Sequence, residues 1–348
     1  MSFRLARLVP LGACAALAAC SASGTSVAPS SFNDVQTSVT ASGEHVIRIG
    51  SREIRFGGPN HRAAARRSWI VPGAAKDGRA LLYGSSYDGG FINIYHEHGT
   101  NQAPIGQLTN GLVSPQGIIV DKYHQVWVAN TNAFTILGFQ RGATTAFTTL
   151  NDPGYFPVSI AVDGNGTVYA ANAQGQSGQS GNVTYWTKGS TSPSGTLTYS
   201  NFQVVLGIGV DASNNVYVSY VPKSGPPAVV EFPAGSQTGQ VLPMSNVTIS
   251  DITFDKQANL VMEDGSGGLG IWAPPYSGPP SRTLSAFGNE PTLGRHEHKV
   301  WIAYANFSNP MIEGYDYITG AQIDVITSGW TQNSAIPYGV AVDPPARL

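Results

Sequence analysis

The chain has 348 residues, only 11% of them charged, and its formal net charge at neutral pH is −2. A chain with so small a net charge is not expected to present the strongly basic surface that binds nucleic acid or an anionic lipid surface. We therefore expect no nucleic-acid partner. The chain has two cysteines, Cys14 and Cys20; cleavage before Cys20 would remove Cys14 and leave no intramolecular disulfide, so stability must come from packing.

The N-terminal segment has the pattern of an export signal. Arg4 and Arg7 precede an apolar stretch from Leu8 to Ala19, which is too short to span a bilayer as a permanent helix. We therefore predict a signal peptide over residues 1–19.

The end of this signal, Leu17-Ala18-Ala19-Cys20, resembles the bacterial lipobox. The resemblance implies a lipoprotein whose Cys20 thiol carries a diacylglyceryl, palmitate-type anchor, through which the protein reaches its membrane. We expect an extracytoplasmic location in the bacterial cell envelope, at the outer membrane if the host is diderm. The alternative is an ordinary secretory signal that is cut nearby.

Residues 20–44 are predicted to carry the lipid and to form a flexible tether. Serine, threonine, alanine and glycine dominate this segment, which cannot bury enough apolar surface to offset the entropy of ordering. Residues 45–68 are predicted to be a lead-in segment, and residues 69–348 the folded domain.

From Trp69 onward the composition is typical of an all-β fold, with short runs of valine, isoleucine and aromatics between asparagine, glycine and serine turns. One unit recurs. An apolar strand ends in aspartate, four turn residues follow, and a second strand begins five positions after the aspartate. Four segments share this unit: GIIVDKYHQVWVAN (117–130), SIAVDGNGTVYAAN (159–172), GIGVDASNNVYVSY (207–220) and DITFDKQANLVMED (251–264).

We call the position of this aspartate the marker position. A fifth unit has Arg295 there, and a degenerate first unit has Lys76. The six marker positions are 40 to 48 residues apart, which is the repeat length of a four-stranded propeller blade: 76, 121, 163, 211, 255 and 295. The second strands are apolar at consecutive positions and must be buried on both faces. The sequence therefore predicts a six-bladed β-propeller of four-stranded antiparallel blades.

A further first-strand copy, Tyr338 to Asp343, stands near the C-terminus with no second strand after it. We expect it to complete the blade begun at the N-terminal end of the domain, so that the ring has no free edge. Trp69-Ile70-Val71 competes for the same place. Seven blades, with Val46 to Phe56 as extra strands, is the alternative.

The repeated unit resembles the NHL-type repeat and the six-bladed propellers of the SMP-30/gluconolactonase superfamily over about residues 69 to 343. The resemblance predicts the fold specifically but says little about the function, because such propellers serve as enzymes, ligand binders and scaffolds. The enzymes place oxygen ligands for calcium or another divalent ion around the central channel. One of their asparagines usually precedes the glycine of a first strand, and this chain departs from that pattern with Gln116, Val158, Leu206 and Tyr338.

The ends of the second strands supply the first set of candidate site residues. Three of these ends form a partial set of ligands for a divalent cation: Asn130, Asn172 and Asp264. Three others are expected to line the channel mouth, where they bind a ligand or plug the channel: Ser85, Tyr220 and Tyr304. Asparagine and aspartate at this place also start the tight turn into the third strand, whether or not anything binds.

Two His-Glu-His triplets form the alternative metal site. Alternate histidines on an extended segment point the same way and can chelate a zinc-like ion, and the four are His96, His98, His296 and His298. If the ring closes as predicted, the two triplets lie on neighbouring blades. Surface turns also tolerate histidine without such a purpose.

The marker aspartates and the aromatics that recur in the second strands are expected to be structural. An aspartate just before a turn caps the backbone NH groups of that turn. The recurring aromatics are better explained as core between blades than as a carbohydrate platform: Trp127, Tyr169, Tyr217 and Trp301.

We expect no catalysis, because the chain has no nucleophile elbow, no H-E-x-x-H motif and no phosphate-cradling glycine loop. The leading hypothesis is a lipid-anchored propeller that binds a small molecule, a glycan or an envelope protein and requires no cofactor. The alternative is a lactonase-like hydrolase or lyase that uses calcium or another divalent cation in the central channel. An apolar or tyrosine-plugged channel favours binding, whereas three or more converging oxygen ligands favour the enzyme.

Overall fold

The computed structural model describes residues 35–49, 52–64, 67–286, 288–304 and 307–346. The predicted signal peptide, Cys20 and the first part of the predicted tether lie outside these ranges. Regular structure in the described residues is all β, apart from one turn of 3-10 helix at Thr131–Ala133. No helix of this part of the chain has the length and apolar character needed to cross a membrane.

The strands follow in chain order. The first seven are β1 (Val35–Val39), β2 (Glu44–Ile49), β3 (Arg52–Gly57), β4 (Trp69–Ile70), β5 (Leu81–Ser86), β6 (Phe91–His96) and β7 (Gly106–Leu108). The next eight are β8 (Pro115–Val120), β9 (Gln125–Asn130), β10 (Thr135–Gln140), β11 (Thr148–Asn151), β12 (Tyr155–Val162), β13 (Val168–Gly175), β14 (Ser180–Trp186) and β15 (Gly195–Leu197). Then come β16 (Phe202–Val210), β17 (Val216–Pro222), β18 (Ala228–Phe232), β19 (Gln240–Val241), β20 (Thr253–Phe254), β21 (Leu260–Glu263) and β22 (Leu269–Trp272). The last six are β23 (Arg282–Leu284), β24 (Asn289–Leu293), β25 (Lys299–Tyr304), β26 (Met311–Asp316), β27 (Gln322–Ile326) and β28 (Gly339–Asp343).

These strands form seven antiparallel sheets. Five contain four consecutive strands each: β8–β11, β12–β15, β16–β19, β20–β23 and β24–β27. A sixth has five strands in the order β28-β5-β6-β7-β4, and the seventh is the three-stranded sheet β1-β2-β3. The prediction of six four-stranded blades is therefore wrong, since there are seven sheets and two of them do not have four strands. The alternative that used Val46 to Phe56 as extra strands gives the observed number of sheets.

The three-stranded sheet, which we call the cap sheet, arises from residues that the sequence analysis assigned to the tether and the lead-in. Polar and apolar residues alternate along β3, so one of its faces is buried and the other is not. Ile47, Ile54 and Phe56 form the buried face and pack against Phe156 and Leu206. The cap sheet lacks the marker spacing, which is why the repeat did not reveal it.

The other six sheets surround a central axis. Their innermost strands are β28, β8, β12, β16, β20 and β24, and each of these contacts the next around the ring. The cores lie between successive sheets, where strands of one sheet pack on those of its neighbour. The N-terminal ends of the innermost strands lie under the cap sheet, and the marker turns lie at the opposite end.

The ring closes through β28, as the sequence predicts. β28 pairs with β5 in antiparallel register from Gly339 opposite Ser85 to Asp343 opposite Leu81. Trp69 and Ile70, the competing segment, lie instead at the outer edge of the same sheet, beside β7. The C-terminal strand therefore supplies the inner edge of a sheet that otherwise comes from the N-terminal part of the domain.

The marker aspartates hold their own turns, as expected. Oδ1 of Asp163 accepts hydrogen bonds from the backbone NH groups of Asn165 and Thr167, both at 2.8 Å. The same pair of bonds forms at Asp121, Asp211 and Asp255. Oδ2 of Asp211 accepts from the hydroxyl of Tyr217 at 3.1 Å, which ties one of the recurring aromatics to its turn.

Removing β28 should open the ring. A chain that ends at Pro337 leaves β5 with an unpaired edge and uncovers the core beside it, so we expect aggregation and a fall in Tm of at least about 10 °C. Calorimetry and light scattering measure both effects. A chain that ends at Ala346 keeps β28 and should match the full chain, whereas a cooperative, monomeric unfolding of the shorter chain would contradict the role given to β28.

Candidate functional site

The innermost strands approach each other closely at the end of the ring under the cap sheet, which we call the cap face. A Cβ on Gly207 would lie 1.9 Å from the backbone oxygen of Ser250, and one on Gly339 would lie 2.2 Å from Oε2 of Glu290. Only a pocket of about 10 Å³ is left there, the space of roughly one water molecule. The channel is therefore nearly closed at the cap face.

The cap sheet covers what remains of the channel at this face. Ile54 lines the small pocket together with Gln116, Val158, Leu206 and Tyr338. These four ring residues directly precede Gly117, Ser159, Gly207 and Gly339, at the position where the sequence departs from the asparagine pattern of the enzymes that the repeat resembles. They lie beneath an apolar side chain of the cap sheet.

Hydrogen bonds fasten the cap sheet to the ring. Gln116 Nε2 donates to the backbone oxygen of Arg55 at 2.5 Å. The amide of Asn132 accepts from the NH of Gly57 at 3.0 Å and donates to its oxygen at 3.1 Å. The hydroxyl of Tyr87 donates to the same oxygen at 2.9 Å. The end of β3 is therefore held by three side chains of the ring.

A partly buried arginine of the cap sheet also contacts the ring, through Asp88 and Phe307. The Arg55 guanidinium lies 3.5 Å from Glu44 and 3.7 Å from Asp88, and 4.4 Å above the ring of Phe307. Burial disfavours the ionised form of Glu44, but His61 and Arg55 outweigh it, so the pKa of Glu44 lies below its ordinary value. Burial dominates at Asp88 and raises its pKa, although Arg55 opposes it.

The opposite end of the channel, which we call the marker face, opens into a cavity of about 610 Å³. This volume lies within the range of roughly 300 to 1,000 Å³ that small-molecule sites occupy. Apolar side chains of the innermost strands form its wall: Ile119, Ile160, Ile208, Ile252 and Val342. The marker turns form the rim of this cavity, which we call the marker-face cavity.

The rim carries charged and aromatic side chains. Lys122 and Tyr123 come from the turn after β8, and Arg295 comes from the turn after β24. Tyr123 is 49% exposed, and the ammonium groups of Lys122 and Lys188 lie 5.2 and 5.0 Å from the centre of its ring. An apolar wall below a polar rim is suited to holding a small amphipathic molecule.

Two of the three predicted metal ligands brace nearby backbone. Oδ1 of Asn130 accepts from the NH of Val113 at 2.6 Å, and its amide donates to the oxygen of Gly111 at 3.0 Å. Oδ1 of Asp264 accepts from the NH groups two and four residues further on, at 2.8 and 3.1 Å. Each of these two side chains is therefore occupied within its own repeat.

The third predicted ligand, Asn172, donates to Oδ1 of Asn182 at 2.8 Å and to the hydroxyl of Thr184 at 2.9 Å. No hydrogen bond between described residues joins Asn172 to Asn130 or Asp264. Nor does the described part of the chain place three or more histidine, cysteine or acidic side chains where they could hold a metal ion. The cation site stays a prediction.

The two His-Glu-His triplets lie on neighbouring sheets of the ring. Glu97 accepts a hydrogen bond from Nε1 of Trp301 at 2.9 Å, which links β25 to the sheet of β6. The rings of His296 and His298 are 6.1 Å apart, and His98 lies 3.0 Å from Glu97. The remaining histidine, His96, is buried beside Arg79, and burial and this neighbour lower its pKa.

The three predicted channel-mouth residues have different places. The Ser85 hydroxyl donates to the backbone oxygen of Gln116 and accepts from the NH of Gly339 at 3.0 Å, so it braces the ring. Tyr220 is buried against Phe202, with ring centres 4.9 Å apart, and belongs to the core between sheets. Tyr304 is partly exposed at the end of β25. At the cap face, Tyr338 lines the small pocket of the channel.

The fold is shared with known structures. A chain in the crystal structure of a nidogen/laminin complex matches with a TM-score of 0.57 and 17% identity, over 76% of this chain and 98% of that one. A protein of unknown function from Bacteroides caccae matches with a TM-score of 0.57 and 10% identity, over 76% of this chain and 99% of that one. The protein is a β-propeller. At these identities the likeness shows the propeller fold alone, and neither a family model nor a curated protein matches the chain.

Sequence reasoning missed one buried acid near Asn172. Asp152 is 1% exposed, and only its Oδ1 has a hydrogen-bond donor, the hydroxyl of Thr184 at 2.9 Å. Burial raises the pKa of Asp152 to about 6, and the bond from Thr184 opposes the shift in part. Asp152 lies in the loop between β11 and β12, outside the repeated unit, so no pattern marked it.

Asp152 should make stability fall as the pH rises from about 4 to about 6. Its folded pKa of about 6 exceeds its ordinary value of 3.8, so the folded state binds the proton more tightly. The stabilisation from the protonated Asp152 carboxyl is complete at a pH below the ordinary pKa. It is lost as the pH rises through the folded pKa, and the free energy of unfolding then falls by about 3 kcal/mol.

The substitution Asp152→Asn should therefore raise the free energy of unfolding at pH 7.5 and flatten its slope between pH 4 and 6. Denaturant titrations across this range measure both effects. Asp77→Asn is the matched control, because Asp77 is exposed and its pKa is lowered by Arg79, so no gain is expected. An unchanged slope in Asp152→Asn would show that the carboxyl ionises as freely when folded as when unfolded.

Proposed function

We propose that this protein is an extracytoplasmic, lipid-anchored propeller of the NHL or SMP-30/gluconolactonase type, and that it binds a small molecule without catalysis. The observation that carries this proposal is the difference between the two ends of the channel. The cap sheet covers one end, whereas the other opens into a cavity of about 610 Å³ with an apolar wall. We place the binding site in the marker-face cavity.

The side chains in the cavity wall support binding rather than chemistry. Isoleucine and valine supply apolar contact area but no proton donor, nucleophile or metal ligand. The polar atoms of the marker aspartates at the rim accept hydrogen bonds from their own turns. A ligand held here gains its affinity from desolvated apolar area and its orientation from a few rim groups.

The anchor and the location remain part of the proposal. They rest on the residues that resemble a lipobox, Leu17-Ala18-Ala19-Cys20, and on the serine- and threonine-rich segment after them. A lipid on Cys20 would hold the protein at an envelope membrane, where an extracytoplasmic binding protein meets its ligands. Mass spectrometry of the mature N-terminus tests this part: it should find a lipid on Cys20, and the lipid should be absent in Cys20→Ala.

Filling the cavity should abolish binding. Thr253 and Thr292 line the marker-face cavity and are partly exposed, so a tryptophan at either place extends into the open space. In a ligand-detected NMR screen of a small-molecule library, we expect compounds that bind the full chain and lose at least about tenfold in affinity with Thr253→Trp or Thr292→Trp.

Thr149→Trp is the matched control, because Thr149 is exposed on the outer strand β11. It should bind the same compounds as the unchanged protein, and all variants should keep the Tm within a few degrees. A library in which no compound distinguishes the cavity-filled variants from the control contradicts a binding site in this cavity.

Metal removal separates binding from the lactonase-like alternative. We expect no loss of ligand affinity and a change in Tm below about 2 °C when calcium, zinc or EDTA is added, because the predicted ligands are already hydrogen-bonded to other groups of the chain. Elemental analysis with thermal scans measures this. Near-stoichiometric metal whose removal lowers the Tm would favour the metal-dependent alternative.

A further inference from the structure

At the rim of the marker-face cavity the aspartate oxygens accept hydrogen bonds from their own turns and second strands, whereas Arg295 and Lys122 have no carboxylate partner among the described residues. Asp163 and Asp211 each accept two backbone NH groups through Oδ1, and Oδ2 of Asp211 accepts from Tyr217 at 3.1 Å. Oδ2 of Asp121 accepts from the indole NH of Trp127 at 3.0 Å. These carboxylates are directed toward their own turns and second strands.

The carboxylate of the closing strand is satisfied as well. Asp343 is fully buried, and it pairs with Arg141 and with Nδ1 of His124. Arg141 therefore has a carboxylate partner within the ring, and the imidazole of His124 is hydrogen-bonded to the same carboxylate. The carboxylate of Asp343 is therefore paired within the ring and is not among the side chains that line the cavity.

Arg295 is different. It stands at a marker position where four other units have a turn-capping aspartate, so the replacement exchanges a negative for a positive charge at the cavity rim. Its side chain is exposed and makes no hydrogen bond or ion pair with any described residue. A guanidinium presents several donors in a planar fork, which suits a carboxylate or a sulfonate.

A second cationic region lies two sheets further round the ring. Lys122 donates to the backbone oxygen of Gly164 at 2.6 Å and has no carboxylate partner in the described part of the chain. It stands with Lys188 beside the half-exposed ring of Tyr123. The closing strand β28 separates β8 from β24 around the ring, so Lys122 and Arg295 flank the same side of the mouth.

We propose that the marker-face cavity takes an amphipathic organic anion, with its apolar body against the isoleucine wall and its acidic group at Arg295. This inference rests on the proposed function, since it names the class of ligand for the same cavity. Arg295 sets the preference for an anion, and Lys122 adds long-range attraction on the same side of the mouth.

Three compounds with one ring system and different charges test this preference: 2-naphthoate, 2-naphthalenemethanol and 2-naphthylmethylammonium. Isothermal titration calorimetry on the full chain should show the anion binding about tenfold more tightly than the alcohol, as expected for one charge-assisted contact at a partly exposed rim. The cation should bind most weakly. Raising the salt concentration should weaken the binding of the anion and leave the affinity of the alcohol unchanged.

Substitution of Arg295 locates the preference. Arg295→Gln should reduce the difference between anion and alcohol to less than about twofold, and Arg295→Lys should retain part of it. Arg48→Gln is the control, because Arg48 is an exposed arginine on the cap sheet at the other end of the ring. It should leave all three affinities unchanged.

The outcomes separate the two proposals. Equal binding of the three compounds, abolished by Thr253→Trp, would overturn the anion preference and leave the cavity as a binding site. An anion preference that persists in Arg295→Gln would overturn the role of Arg295. Failure of all three compounds to bind the unchanged protein would contradict both the ligand class and the apolar cavity as their site.

Discussion

The pairing of β28 with β5 is the constraint on which the rest of the structure depends. Every sheet of the ring is buried on both faces by its neighbours, so the stack is stable only if the last sheet meets the first. β28 satisfies this need with five paired residues, Gly339 to Asp343. Because Asp343 also pairs with Arg141, the same strand fixes the sheet that follows it around the ring. The axis, its two ends and the cavity follow from this closure.

Closure alone would leave a channel with two similar mouths, and two further features make them different. At the cap face, Gly207 and Gly339 allow the innermost strands to approach so closely that no Cβ fits, and the cap sheet lays Ile54 over the small pocket that remains. At the marker face, the ends of the innermost strands surround an open cavity lined by Ile119 and other apolar side chains. The close packing and the cap sheet at one end, and the cavity at the other, make the two ends of the channel different.

The turns and the closing strand that follow the repeated unit could be predicted from the sequence, whereas the place of the cap sheet and the total number of sheets could not. The marker spacing predicted the capping of the turn by Asp163 and the closing strand, because each follows from a local hydrogen bond or from the need to remove an edge. The cap sheet occurs once, and its burial depends on Phe156 and Leu206, which are distant in sequence. The candidate metal ligands were chosen for their place at strand ends, but a side chain such as Asn130 is bonded to the loop before its own sheet, which no spacing reveals.

The exceptions to a repeat carry more information about function than its regular positions do. A marker aspartate is explained by the two NH groups that it caps, and the same explanation holds at four turns, so its presence at the rim says nothing about a ligand. Arg295 cannot cap a turn in this way, since a guanidinium has no acceptor for a backbone NH. Its turn forms nevertheless, with Glu297 donating its NH to the oxygen of Gly294 at 2.9 Å, so the loss of the aspartate is tolerated locally. The proposed anion preference rests on this observation: an exposed cation stands at the rim where other units have a structural carboxylate, and it has no partner among the described residues.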